Sequence, residues 1–150
     1  MNNTFEQIKQ VLKQCDTIAI GGHQNPDGDA IGACFALAYA FKKQGKKVAV
    51  LLEEFAKKYD IIAKKELILP LEEYDTFQPD AFVALDSGDK GRLGAAEVVF
   101  ERAKEKINMD HHASNTYFGE YNYVDSNASS TAEVVYTFLR EDFSFDKEIA

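Results

Sequence analysis

Phe5, Ile8, Val11 and Leu12 recur at steps of three and four residues behind Asn3 and Thr4, so the chain is predicted to open with a capped amphipathic helix. The period then shortens. "DTIAIGG" reads as a buried strand ending at Gly21 and Gly22. From Gly28 the apolar positions Ile31, Phe35, Leu37, Ala38 and Phe41 return to a helical stripe as far as Gln44, with Gly45 suited to a left-handed stop. "KKVAVLLEE" is the next strand. The stretch from Phe55 to Tyr74 mixes a short helical signal with a strand-like one at Leu67 to Leu69, and the pattern assigns it no element. Beyond it, "DAFVALDSGD" is a strand that stops at Asp86, and Arg92 to Ala103 has helical spacing. "KINMDHH" and "EYNYVD" are short strands. Ser129 or Ser130 can cap a helix over Thr131 to Arg140, with Glu133 placed to complete a capping box with Ser130, and "FDKEIA" begins a further helix.

Strands that alternate with helices and are apolar on both faces predict an α/β fold, a Rossmann-like parallel sheet with right-handed crossovers and helices on both faces. In such sheets ligands bind beyond the carboxyl ends of the strands. The polar residues of this chain gather at those ends. His23, Asp27 and Asp29 follow the first strand, Asp86 ends another, and Asp110, His111 and His112 end a third. All 3 histidines of the chain lie there.

Asp27, Asp29, Asp86 and Asp110 cannot all stay ionised at close quarters without compensation. Divalent cations are the usual compensation where oxygen and imidazole donors mix. A carboxylate can bridge two cations about 3.5 to 4 Å apart, the arrangement that clamps attacking and leaving oxygens in phosphoryl displacement. Pro26 and Gly28 preclude a regular helix through the first cluster, so His23 and Asp27 are not a pair on a solvated helical face. Each cluster alone would pass as a polar turn. Three at successive strand ends point to a two-metal hydrolase.

Composition narrows the partners. With 150 residues, 45% of them hydrophobic, the chain can form one domain with a proper core. A formal charge of -8 argues against binding long nucleic acid through a basic face, but leaves a small phosphate ligand open if cations reverse the local sign. Lys42, Lys43, Lys46 and Lys47 read as a solvated helix end. Cys15 and Cys34 form no CxxC pair and read as buried thiols in a reducing compartment. The polar N-terminus and the shortness of the apolar run from Ala30 to Phe41 argue against a secretory leader or a membrane span, which predicts a cytoplasmic protein. The glycines match neither dinucleotide spacing nor a phosphate loop, and no Ser-His-Asp or Cys-His set competes for the histidines.

"GHQNPDGDAIGA", "VALDSGDKGRLG", "NMDHHASNTYFGEYNYVD" and "NASSTAEVVYTFL" together resemble the N-terminal catalytic domain of the DHH phosphoesterases, in particular the nanoRNase/pAp phosphatase branch. The resemblance covers nearly the whole chain. It implies that His23 and Asp27 bind one manganese ion, that Asp29 and His111 bind the other, and that Asp86 bridges them, with Mg2+ or Co2+ as alternative metals. His112 would face the scissile phosphate as a catalytic and substrate-binding residue. Asp110 would orient a neighbouring histidine. Ligation needs neutral imidazole, so acid should release the metals. Ser129 and Ser130, in "SNASSTAE", would bring helix N-terminal amides near the substrate or simply cap the helix.

The resemblance further implies hydrolysis of short oligoribonucleotides and of 3'-phosphoadenosine 5'-phosphate. The alternatives are a linear or cyclic dinucleotide phosphodiesterase and a nucleotide-binding module without turnover. The family's fourth motif, an aspartate on a following strand, and its C-terminal domain have no counterpart in residues 1–150. The chain is therefore expected to be the N-terminal part of a longer two-domain protein. Phe138, Leu139, Phe143 and Phe145 would then form an exposed apolar patch able to support a homodimer.

Overall fold

The sheet is parallel throughout, with strand order β2-β1-β3-β4-β5. Its strands are β1 (Thr17–Gly21), β2 (Lys47–Leu51), β3 (Ala81–Leu85), β4 (Glu105–Asp110) and β5 (Tyr121–Val124). The helices are α1 (Phe5–Lys13), α2 (Gly28–Lys43), α3 (Glu97–Arg102) and α4 (Thr131–Leu139). The structure, a computed structural model, describes residues 2–140. The apparent helix start at "FDKEIA" lies outside them, as do Phe143 and Phe145.

Apolar side chains from α1, α2 and α4 bury one face of the sheet, meeting Ile18, Ile20, Val83, Leu85 and Ile107. On the other face Leu93, Val99 and Phe100 cover Ala19, Phe82 and Ala84. This is the layered α/β architecture expected from the alternating periods. Helix α2 is apolar nearly all round and buries Ala30, Ile31, Ala33, Cys34, Phe35, Leu37, Ala38, Tyr39, Ala40 and Phe41. A helix of that composition belongs inside the layer and not on its surface. Both cysteines are buried as well, and burial pushes both thiols up.

Thr4 caps α1 with a complete capping box: its Oγ1 accepts from the Gln7 amide at 3.1 Å and its own amide donates to Gln7 Oε1 at 2.9 Å. Gly45 stops α2 at φ 86°. Two expectations need correction here, and the unassigned stretch 55–74 takes a definite form. Arg92 to Ala103 is not one helix. A 3-10 segment, Lys90–Ala96, precedes α3, because Gly94 sits at φ 60° and ψ -131°, outside helical geometry. Any Cβ at Gly94 would stand 2.9 Å from Gln24 Cγ, so this turn packs directly on the loop after β1. Leu67 to Leu69 contributes only a single bridge, between Val50 and Ile68, and 55–74 folds as 3-10 turns around buried Ala63, Leu67 and Tyr74. Phe138 and Leu139 are buried at 1% and 0% exposure, so they form no surface patch.

Asp80 fixes the start of the central strands. Its Oδ2 accepts from the amides of Asp16 and Thr17 at 2.9 and 3.1 Å, and these bonds hold the carboxyl below its ordinary range. A depressed carboxylate contributes stability above its unfolded value, and that contribution is lost as pH falls through the folded value. With the side chain a third exposed, at 33%, the effect is modest. Asp80→Ala should cost about 1 kcal/mol at neutral pH, and urea unfolding should show the difference from wild type closing as acid takes the solution below the ordinary aspartate range.

Candidate active site

The chain leaves β1 toward β2 at one edge and returns through β3 on the other side of β1, which creates a switch point between β1 and β3. Side chains at that crevice face any ligand. The register aligns Gly21 with Ala84, so His23 and Asp86, each two residues further on, stand side by side. Leu85 pairs with Met109, which sets Asp86 beside Asp110. Parallel pairing alone thus gathers residues from three separate segments.

Asp86 is the centre of the arrangement. It is 2% exposed and adopts φ 56°, the left-handed region that aspartate tolerates better than most residues. Its two carboxylate oxygens face different partners. Oδ2 lies 3.2 Å from His23 Nε2. Oδ1 lies 3.4 Å from His111 Nε2 and accepts a hydrogen bond from Thr131 Oγ1 at 3.0 Å. Asp27 Oδ1 completes the first set at 3.6 Å from His23 Nε2, while also capping α2 through the Ala30 amide at 2.9 Å. Asp29 Oδ2 stands 3.5 Å from His111 Nε2. His23 with Asp27 and Asp86 forms one group with ligand atoms within 4.8 Å of one another, and Asp86 with Asp110, His111 and His112 forms a second.

These donors fit a pair of divalent cations. Ligands about 2.1 Å from a cation and at right angles to one another stand about 3 Å apart, close to the separations around Asp86. The one residue common to both groups presents one oxygen to each. Asp29 accepts from the amides of Thr131 and Ala132 at 2.9 and 2.8 Å, which leaves further lone pairs on both oxygens.

His112 Nδ1 lies 2.7 Å from Asp110 Oδ1, and Asp110 is fully buried. A carboxylate there accepts Nδ1–H and leaves Nε2 as the free edge of a half-exposed ring. Asp110 Oδ2 in turn accepts from Asn115 Nδ2 at 2.8 Å, and Asn115 also bonds Asn108 Oδ1 at 2.8 Å. Asn108 donates to the carbonyls of Ala84 and Ser87 at 3.1 and 3.3 Å, tying the ends of β3 and β4 together. Thr131, Asn108 and Asn115 are site residues that sequence reasoning passed over. Their burial, which the sequence does not display, is what sets them apart. Asn115→Ala would leave the buried Asp110 oxygen short of a donor, and should cost about 1–3 kcal/mol in chemical denaturation.

Ser129 and Ser130 both serve the start of α4. Ser130 Oγ accepts from the Glu133 amide at 3.1 Å. The Glu133 carboxylate does not return to Ser130, as a capping box with Ser130 requires. It accepts from the amide and hydroxyl of Ser129 at 2.9 and 2.6 Å.

The electrostatics follow from crowding. Burial pushes Asp29 up, helped by the Asp86 charge and opposed by the α4 amides. Burial also acts to raise Asp86, but hydrogen bonds from His23 and Thr131 outweigh it and hold the carboxyl below its ordinary range. The hydrogen bond to Asp86, against a smaller opposing effect of burial, lifts His23 from 6.5 to about 9. The metal-free chain therefore carries His23 as a cation at neutral pH. A raised histidine gives stability that is complete below the unfolded value and lost as pH rises through the folded one. Thermal unfolding of metal-stripped protein should show stability falling between about pH 6.5 and 9, and His23→Gln should remove that slope.

Residues 17–150 match the family model described as DHH family, N-terminal domain. The chain is 33% identical over 130 residues to the bifunctional oligoribonuclease and PAP phosphatase NrnA of Thermus thermophilus, covering 85% of this chain and 38% of that protein. It is 26% identical over 148 residues to the cyclic-di-AMP phosphodiesterase GdpP of Geobacillus thermodenitrificans, covering 88% of this chain and 22% of that one. The crystal structure of an exopolyphosphatase-related protein from Bacteroides fragilis superposes with a TM-score of 0.82 at 25% identity, over 91% of this chain and 43% of that one. The chain spans less than half the length of these curated relatives.

Proposed function

The chain belongs to the DHH family, and on that premise we propose that it is the metal-binding catalytic domain of a manganese-dependent phosphoesterase. Its substrates in this reading are short oligoribonucleotides and 3'-phosphoadenosine 5'-phosphate, and its compartment is the cytoplasm. The observation that carries the reading is the division of the Asp86 carboxylate, one oxygen toward His23 and the other toward His111. His23 and Asp27 would hold one ion, Asp29 and His111 the other, with Asp86 shared. When bound, a pair of divalent cations acidifies water and neutralises charge growing on phosphoryl oxygens.

The chain's own residues do the rest. Asp110 holds the His112 ring through Nδ1, and Nε2 would then be the edge offered to a phosphate. Ser129 and Ser130 keep the first turn of α4 in place beside the site. The net charge of -8 supports small phosphate substrates over long nucleic acid. Among the described residues no helix is long and apolar enough to cross a membrane. Self-association into a homodimer is tested by light scattering, and Phe138 and Leu139, being buried, offer it no surface.

The test is calorimetric titration of the metal-stripped chain with manganese, followed by assays on dinucleotides and on 3'-phosphoadenosine 5'-phosphate with and without chelator. Two ions bound are expected, with chelator abolishing whatever hydrolysis residues 1–150 carry out. Absence of manganese binding would sink the reading. The likeness to GdpP favours a second substrate class, cyclic dinucleotides, and the same assay run on cyclic di-AMP separates the two. Metal binding with no turnover of any of these would instead favour a nucleotide-binding module.

A further inference from the structure

Thr131 is fully buried at the first position of α4, yet its hydroxyl points among carboxylates. Oγ1 lies 3.0 Å from Asp86 Oδ1 and 3.5 Å from Asp110 Oδ1. Carboxylates accept and do not donate, so the single hydroxyl proton has an acceptor on either side and the nearer is Asp86. The backbone amide of the same residue donates to Asp29 Oδ2 at 2.9 Å. One residue thus touches three of the four clustered carboxylates.

We infer that Thr131 is a positioning residue that fixes the rotation of the Asp86 carboxylate and so sets how its two oxygens are shared between the metal sites. A carboxylate can turn about its terminal bond, and an Asp86 free to turn would not keep Oδ2 on His23 and Oδ1 on His111. The Thr131 hydroxyl removes that freedom by holding Oδ1 in a hydrogen bond from a different element, the start of α4. β-branching leaves threonine few rotamers, and packing at the helix start holds the one observed. The positive end of α4 meets Asp29 through the Thr131 and Ala132 amides, so the same turn restrains a second carboxylate.

The inference rests on the two-metal reading, and its test separates the two. Manganese is titrated calorimetrically into the metal-stripped 150-residue chain, wild type, Thr131→Ser and Thr131→Val. Loss of an orienting partner beyond the ligands costs about 10–100-fold in metal affinity. The valine variant should weaken manganese binding by that factor, the serine variant should bind as wild type, and the metal-free melting temperatures of serine and wild type should agree. A purely structural role would lower the melting temperature without this split in affinity. Should the valine variant not fold, Thr131→Ala against Thr131→Ser carries the same comparison, since these differ by the hydroxyl alone. Valine or alanine binding manganese as tightly as serine would overturn the inference and leave the two-metal reading standing. A wild-type chain that binds no manganese would overturn both.

Discussion

Replacing Asp86 with asparagine is expected to abolish tight manganese binding and to lower phosphate-ester hydrolysis by at least about a thousandfold, while the metal-free chain still folds. Asparagine keeps the shape of the side chain and tolerates the left-handed backbone at φ 56°, where most residues are strained. It removes the one charge shared by both groups of donors. Loss of a buried ion-pair partner normally strands a charge at high cost. Here the remaining partners are histidines, and His23 can shed its proton once the carboxylate that lifted it to about 9 is gone. The melting temperature of the metal-free variant should therefore lie below wild type at neutral pH and approach it near pH 9, where His23 no longer gives wild type that stability. Calorimetry and circular dichroism on one preparation check both halves. Wild-type manganese affinity in Asp86→Asn would refute the shared-ligand arrangement.

The largest effect on stability is expected from Phe82→Ala. Phe82, the second residue of β3, is fully buried, and its ring meets Phe100 edge-on at 5.4 Å between centroids. It also fills the space that the missing side chain of Gly21 leaves open: a Cβ there would come within 2.8 Å of Phe82 Cζ. Truncation removes the ring from both neighbours on the face where α3 covers the sheet, and backbone hydrogen bonds hold β1 and β3 too firmly for the strands to close the gap. Such truncations cost about 3–5 kcal/mol, a large part of the about 5–15 kcal/mol that keeps a domain folded. Urea unfolding should show a lower midpoint with an unchanged slope. A loss below about 1 kcal/mol would show that this layer repacks freely.

The order of elements and the parallel sheet were legible in the chain because strand and helix burial leave different periods. The polar clusters were legible because glycine, proline and charged residues interrupt those periods at the strand ends. Within the site, His23, Asp27, Asp29, Asp86, Asp110, His111 and His112 could be named as candidates from residue type and position. Thr131, Asn108 and Asn115 could not. Threonine at a helix start and asparagine in a turn have local uses that account for them fully, and nothing in their own neighbourhoods marks them as partners of distant carboxylates.

Local preference also misled where a distant contact outweighed it. Arg92 to Ala103 has helical spacing, but Gly94 leaves the helix to pack on Gln24. Phe138 and Leu139 looked exposable in sequence, yet α4 turns both into the core. The amino-acid sequence by itself determined the fold class and which residue types stand at the strand ends, because periodicity and turn chemistry act over a few neighbours. Only the tertiary structure decided that one oxygen of Asp86 faces His23 and the other His111, and that Thr131 holds Asp29 and Asp86. Those relations join residues up to 102 positions apart, and strand register and helix docking, which no local pattern encodes, bring them together.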